Sequence, residues 1–106
     1  MAQIASRRRY PRFLVQKIVS YCHGGQWFMT LTLDLGLGGM KIETYKRLPE
    51  NERVEIKLVL GRDSIGPTGR IVYTQFPPEQ QPISGVHFCD ISKRDQSVLQ
   101  YYLSNM

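Results

Sequence analysis

At 106 residues the chain can fold as one domain with its own core, but it is too short to house a deep enzyme cleft. Hydrophobic residues make up 42% and charged residues 22%, an ordinary balance for a soluble globular chain. The formal charge of +5 points to an anionic partner, whether nucleotide, nucleic acid or membrane surface. Arg7, Arg8, Arg9 and Arg12 gather part of that excess near the N-terminus, and clustered charge is better evidence of binding than diffuse charge.

Cys22 and Cys89 are the only cysteines, and their spacing resembles no secreted disulfide scaffold, so both are expected to be reduced. The N-terminus lacks an apolar signal core. No apolar run approaches the ~20 residues needed to span a bilayer. A cytoplasmic location without membrane insertion is the expectation.

Residues 1–12 read as a flexible basic arm and 13–106 as a single folded domain. Pro11 biases Tyr10 toward an extended backbone and opposes a helix through the arginines. In an extended arm Arg8 and Arg12 are an even number of residues apart and face one side. Phe13 to Tyr21 is rich in valine and isoleucine and reads as the first strand, with residues 22–26 as a turn. From Trp27 to Leu33 an apolar series (Trp27, Met29, Leu31, Leu33) alternates with Phe28, Thr30 and Thr32, the period of a half-buried strand.

Asp34-Leu35-Gly36-Leu37-Gly38-Gly39 then reads as a glycine-rich turn. Its glycines permit positive φ and leave room for a ligand. Met40, Ile42 and Thr44 alternate with Lys41, Glu43 and Tyr45. Arg53 to Leu60 alternates cleanly, with Val54, Ile56, Leu58 and Leu60 inward. Gly61 to Gly66 reads as a turn, and Pro67 demotes any strand beginning there. Gly69 to Gln75 reads as a strand with Ile71 and Tyr73 on one face. A proline-rich loop and a short strand, Gly85 to Cys89, follow.

The ending changes period. Ser92 with Asp95 three residues on marks a helix start, and Val98, Leu99, Tyr102 and Leu103 form one apolar stripe. Several strands with turn signals at short intervals argue for a small antiparallel barrel flanked by one helix.

Two features carry chemistry. The arginines offer fixed charge and planar donor forks suited to phosphates and to stacking on bases; the bland alternative is a solubilising tail. The glycine turn places Asp34 to accept from a guanine edge, with backbone N–H groups over residues 36–39 able to hold a phosphate or carbonyl. The bland alternative there is an ordinary hairpin. No Gly-Lys-Ser/Thr follows, as a Walker loop needs, and the strand flanks exclude a Rossmann fingerprint.

His23, His87, Cys22 and Cys89 lack the closely spaced pairs of a zinc site, so no metal or other cofactor is expected. No nucleophile–base pair or paired carboxylate stands out, and an acid beside arginines suits recognition rather than proton transfer, so no enzymatic activity is expected. Trp27 and Tyr73 read as barrel core.

Together these elements resemble the PilZ domain family of bacterial cyclic di-GMP receptors. Arg8-Arg9-Tyr10-Pro11-Arg12 matches the family's Arg-x-x-x-Arg. Asp34 to Gly39 matches its Asp/Asn-x-Ser-x-x-Gly, with Gly36 where the serine would stand. The resemblance implies a mainly β fold, a six-stranded antiparallel barrel with an N-terminal arm and a C-terminal helix.

It further implies that Arg8 and Arg12 bind the phosphates and guanines of cyclic di-GMP, Asp34 holds a guanine edge, and Gly39 permits close backbone approach. Gly36 completes the motif but supplies no hydroxyl. Arg7, Arg9, Leu37 and Gly38 are further candidate contacts, and Arg7 bears on whether one ligand or an intercalated pair is bound. The missing hydroxyl removes a hydrogen bond worth about 0.5–1.5 kcal/mol, a loss of affinity up to roughly tenfold. Signal output passes to an effector protein. Two alternatives stand beside this reading: a ligand-independent protein adaptor, and a small barrel binding RNA or single-stranded DNA. The absence of an aromatic stacking row counts against the second.

Overall fold

The computed structural model describes residues 11–106; the expected contacts at Arg7, Arg8 and Arg9, and most of the arm, lie outside the described residues. The elements in order are β1 (Arg12–Phe13), β2 (Ile18–His23), β3 (Gln26–Gly36), β4 (Gly39–Glu43), β5 (Arg53–Leu60), β6 (Asp63–Ile65), β7 (Thr68–Gln75), β8 (Ile83–Asp90) and helix α1 (Lys93–Ser104). Strands β3, β2, β5, β7, β8 and β4 pair in that order, and a β3–β4 pairing closes the ring into a six-stranded antiparallel barrel. The two extra strands lie against it: β1 on β3 and β6 on β5.

Alternation builds the core. Strand β5 is exposed and buried at successive residues throughout, so Val54, Ile56, Leu58 and Leu60 point inward as expected. They meet Val19 and Tyr21 from β2, Met40 and Ile42 from β4, Ile71 from β7 and Val86 from β8. Each such side chain contributes about 1.5–3 kcal/mol by leaving water.

Four boundaries differ from expectation. The first strand is broken, because Leu14 to Lys17 crosses from β1 to β2 without pairing as a strand. Thr32 holds that crossing: its hydroxyl donates to the Val15 carbonyl and accepts from the Lys17 N–H at 2.9 Å. The first hairpin is tighter than a five-residue turn. His23 pairs with Gln26, leaving Gly24 and Gly25 as the two-residue loop with φ of 62° and 77°. Positive φ at both positions is what a twisted two-residue hairpin demands.

Residues 61–66 are likewise not all turn, since Asp63–Ile65 folds back on β5. The glycine-rich stretch is mostly strand: Asp34 to Gly36 end β3, Gly39 opens β4, and none of Gly36, Gly38 and Gly39 has positive φ.

Two β-bulges also redirect side chains. In β3 the register steps from Thr32↔Ile42 to Asp34↔Lys41, leaving Leu33 as the extra residue. Trp27 and Met29 are consequently 48% and 62% exposed, whereas Leu35, of the same parity, is fully buried. Trp27 is therefore not core; Phe28 instead stacks on buried Tyr21 with ring centroids 5.3 Å apart. In β7 the step at Val72 pairs Ile71 with Val86 but Tyr73 with Gly85, so Ile71 and Tyr73 do not share a face. The Tyr73 ring lies over Gly85, where a Cβ would fall 2.2 Å from it, and Tyr73 is only half-buried.

Helix α1 begins as expected. Ser92 caps it by accepting from the Asp95 N–H at 3.1 Å, and Leu99 and Leu103 are buried against the barrel. The Asp95 carboxylate ties the helix to the β6–β7 turn, accepting from the Gly66 N–H at 2.9 Å and from Arg94 at 2.9 Å. Burial pushes the Asp95 carboxyl up, but the hydrogen bonds from Gly66, Arg94 and Ser92 and the charge of Arg94 outweigh it, and its pKa is lowered.

A carboxyl depressed in the folded state stabilises above its unfolded pKa of about 4 and loses that contribution as pH falls through the folded value. Asp95→Asn should therefore unfold at lower urea than the parent at pH 7, by about 1 kcal/mol. The gap should close as the titrations are repeated at progressively lower pH below 4.

Candidate functional site

The site forms where β1 lies along the end of β3. Arg12 pairs with Gly36 and Phe13 with Leu35, so the last residue of Arg-x-x-x-Arg and the third of the acidic glycine motif are neighbours on one ladder. The Leu33 bulge turns Asp34 away from the barrel interior that receives Leu35. Arg12 Nη1 donates to Asp34 Oδ1 at 2.7 Å across 22 residues of sequence. This is a charge-assisted hydrogen bond between largely covered side chains, of a class worth about 1.5–3 kcal/mol. Sequence spacing suggested that these residues share a site; the register shows that they touch.

Lys41 was not among the expected site residues. It sits opposite Asp34 in the β3–β4 register, with Nζ 4.0 Å from Asp34 Oδ2. Alternation alone placed Lys41 on the outer face, but its meeting with Asp34 depends on the bulge, which leaves no simple pattern in the sequence. The buried acid thus lies between two cations.

The glycines serve the protein's own backbone. A Cβ on Gly36 would fall 2.5 Å from the Pro11 carbonyl oxygen and 3.0 Å from Arg12 Cδ. A Cβ on Gly39 would fall 2.1 Å from the Val86 carbonyl oxygen. The Gly38 carbonyl accepts from the Phe88 N–H at 2.9 Å. Leu37 is half-buried and packs on the core, and with Pro11, Phe13 and Leu103 it lines a shallow cleft of about 190 Å³ beside the end of α1.

The structure thus brings together Arg12, Asp34 and Gly36, and gives Gly38 and Gly39 to the β4–β8 seam. Lys17, the last residue of the crossing held by Thr32, lies 5.2 Å above the Tyr102 ring, so the segment leaving the site also rests on the helix.

The sequence matches the model of the PilZ domain over residues 6–105. The chain belongs to the PilZ domain family. No curated protein matches it at a significant level. Among solved structures this PilZ domain is similar to the Bacillus subtilis inhibitor of motility MotI/DgrA, with a TM-score of 0.81 and 18% identity, covering 93% of this chain and 51% of that one. It is similar to Escherichia coli YcgR in complex with c-di-GMP, with a TM-score of 0.78 and 20% identity over 93% of this chain and 45% of that one. The PilZ domain of YcgR with c-di-GMP gives a TM-score of 0.74 at 21% identity, covering 92% of this chain and 90% of that one.

At these identities the likeness is one of fold. The chain spans about half the length of MotI/DgrA and of the longer YcgR structure.

Among the described residues, no group of three or more His, Cys, Asp or Glu side chains is placed to hold a metal ion. Cys22 and Cys89 are both free. No helix among the described residues is long and apolar enough to cross a membrane.

Proposed function

We propose that this PilZ domain is a receptor for cyclic di-GMP that hands its signal to a protein partner in the bacterial cytoplasm, without catalysing a reaction. Arg8 and Arg12 take the phosphates and guanine faces of the ligand, Asp34 accepts from a guanine edge, and Arg7, Arg9 and the Leu37–Gly38 turn lie at its margin. Gly39 lets the backbone come close. The observation that carries this reading is the Arg12–Asp34 contact, which puts the cationic and the acidic halves of the motif at one point.

A guanidinium has five N–H donors, and only one Arg12 nitrogen is engaged by Asp34, so the side chain can hold the acid and still offer donors to a phosphate. The presence of c-di-GMP in the YcgR structures adds support by family likeness. Residues 1–12 act as the arm that closes over the ligand. Charge pairing drives that closure, and the ordering of the chain opposes it.

One observation favours a second reading. The space a motif serine would take is filled by Pro11 and Arg12, and Asp34 is already paired, as in an adaptor that needs no ligand.

Calorimetric titration with cyclic di-GMP separates the two. The parent chain should bind saturably, and Arg8→Ala and Asp34→Ala should each weaken binding by at least about tenfold, the loss of one charge-assisted contact. Equal heats for parent and Arg8→Ala would sink the assigned site. No heat from the parent, with no shift of its melting temperature, would favour the adaptor.

A further inference from the structure

The outer face of the β3–β2–β5 sheet is a second feature that the ligand site does not use. Trp27 and Met29 stand exposed on β3, beside the small residues Cys22 and Ser20 that face them on β2. The next strand in the same rows offers Glu55 and Lys57. At one end of the face the exposed side chains of Leu31, Ile18 and Val59 continue the apolar surface. The face is therefore a shallow trough with a floor of small residues, an apolar wall on β3 and a charged wall on β5. Lys57 leans across the floor to 5.8 Å from the Trp27 ring.

We propose that this face is the contact between two copies of the chain, packed face to face about a two-fold axis. The charges supply the argument. A molecule of net charge +5 repels its own copies, so self-association requires a locally balanced surface. Here one acid and one base sit two residues apart on β5.

A two-fold axis lying in the interface, across the strands and between these two rows, sets Lys57 opposite the second copy's Glu55 and Glu55 opposite its Lys57. The same operation sets Trp27 on Met29 and Met29 on Trp27, with the small floors facing each other. An isologous contact of this kind is self-complementary by construction.

The exposed apolar part of the face is on the order of several hundred Å², within the range that marks contact sites and a large share of the roughly 800 Å² per partner of a stable interface. Strand addition at the open edge of β3 is disfavoured, because the Tyr45 hydroxyl occupies the Met29 carbonyl at 2.8 Å. Packing through the face remains.

Sedimentation of the whole chain over a range of concentrations tests this, with tryptophan emission recorded on the same samples. Trp27 is the only tryptophan, so its emission reports this face directly. The expected result is a monomer–dimer equilibrium with emission shifting to shorter wavelength as dimer forms. Glu55→Lys and Lys57→Glu should each raise the dissociation constant roughly tenfold or more by setting like charges opposite one another, and the double reversal should restore it to within about threefold.

A chain that stays monomeric with constant emission up to hundreds of micromolar overturns the proposal, and leaves the face to a different protein. A dimer indifferent to the single reversals overturns it as well, since that dimer uses another surface. Neither readout depends on cyclic di-GMP.

Discussion

Gly39→Ala is expected to lower the melting temperature far more than its single added methyl suggests, by about 12 °C or more. The methyl would fall 2.1 Å from the Val86 carbonyl oxygen, 3.1 Å from its carbon and 3.2 Å from His87 Cα. All three atoms are backbone, and no rotamer change relieves them. Gly39 pairs with His87 and Met40 with Val86, so the strain falls on the first rungs of the β4–β8 seam and on core residues that are fully buried.

Overpacking usually costs about 1–3 kcal/mol and more where the backbone must move, so at least about 3 kcal/mol is expected here. At about 4–8 °C per kcal/mol for a domain of this size, that gives the stated shift. Gly61→Ala is the control. Gly61 has φ +64° with nothing within 4 Å of the added methyl, so it bears only left-handed backbone strain, about 1 kcal/mol. Thermal unfolding followed by circular dichroism compares the two. A Gly39→Ala protein as stable as Gly61→Ala would show that the seam yields where the structure says it does not.

Gly36→Ser is expected to act opposite to what the motif suggests. Read as sequence, it restores the missing hydroxyl and should gain up to roughly tenfold in affinity for cyclic di-GMP. Read in the structure, its Cβ enters space held by the Pro11 carbonyl oxygen at 2.5 Å and Arg12 Cδ at 3.0 Å. Strand β1 is two residues long, and its pairing with β3 consists of Arg12↔Gly36 and Phe13↔Leu35.

Relief comes by lifting β1, which pulls Arg12 from Asp34 and Phe13 from its packing on the core. The expected outcome is a loss of about 1–3 kcal/mol of stability and weaker, not tighter, ligand binding. Calorimetry on the parent and Gly36→Ser, with urea unfolding of both, checks the sign. Tighter binding at unchanged stability would mean that β1 accommodates the serine and that Gly36 is simply a lost contact.

These two glycines show where the sequence was legible and where it was not. The barrel, the inward face of β5 and the capped helix follow from local periodicity and cap chemistry, signals carried by each segment alone. The motif glycines were visible, but their purpose was not. Positive φ is a local property, whereas close approach to Pro11 or Val86 depends on which strands become neighbours. Trp27 was misplaced for a related reason. Its alternation with Met29 and Leu31 is real, yet one bulge at Leu33 decides which parity faces the core, and no residue type marks it. Lys41 was missed through the same bulge, since its distance to Asp34 is fixed by the shifted register.

That bulge also constrains how the strand can change length. Were Leu33 paired in the ladder instead of bulged, unbroken alternation through β3 would direct Asp34 into the barrel and Leu35 into water. The ladder would still form, but with its chemistry inside out. The interval of 22 residues between Arg12 and Asp34 is thus more than a reach suited to a ligand. It is a phase relation, and a gain of one residue within β3, or a loss away from the bulge, is a graver lesion than a similar change in the loop from Phe76 to Pro82. Length variation in relatives of this chain should collect in that loop and spare the strand.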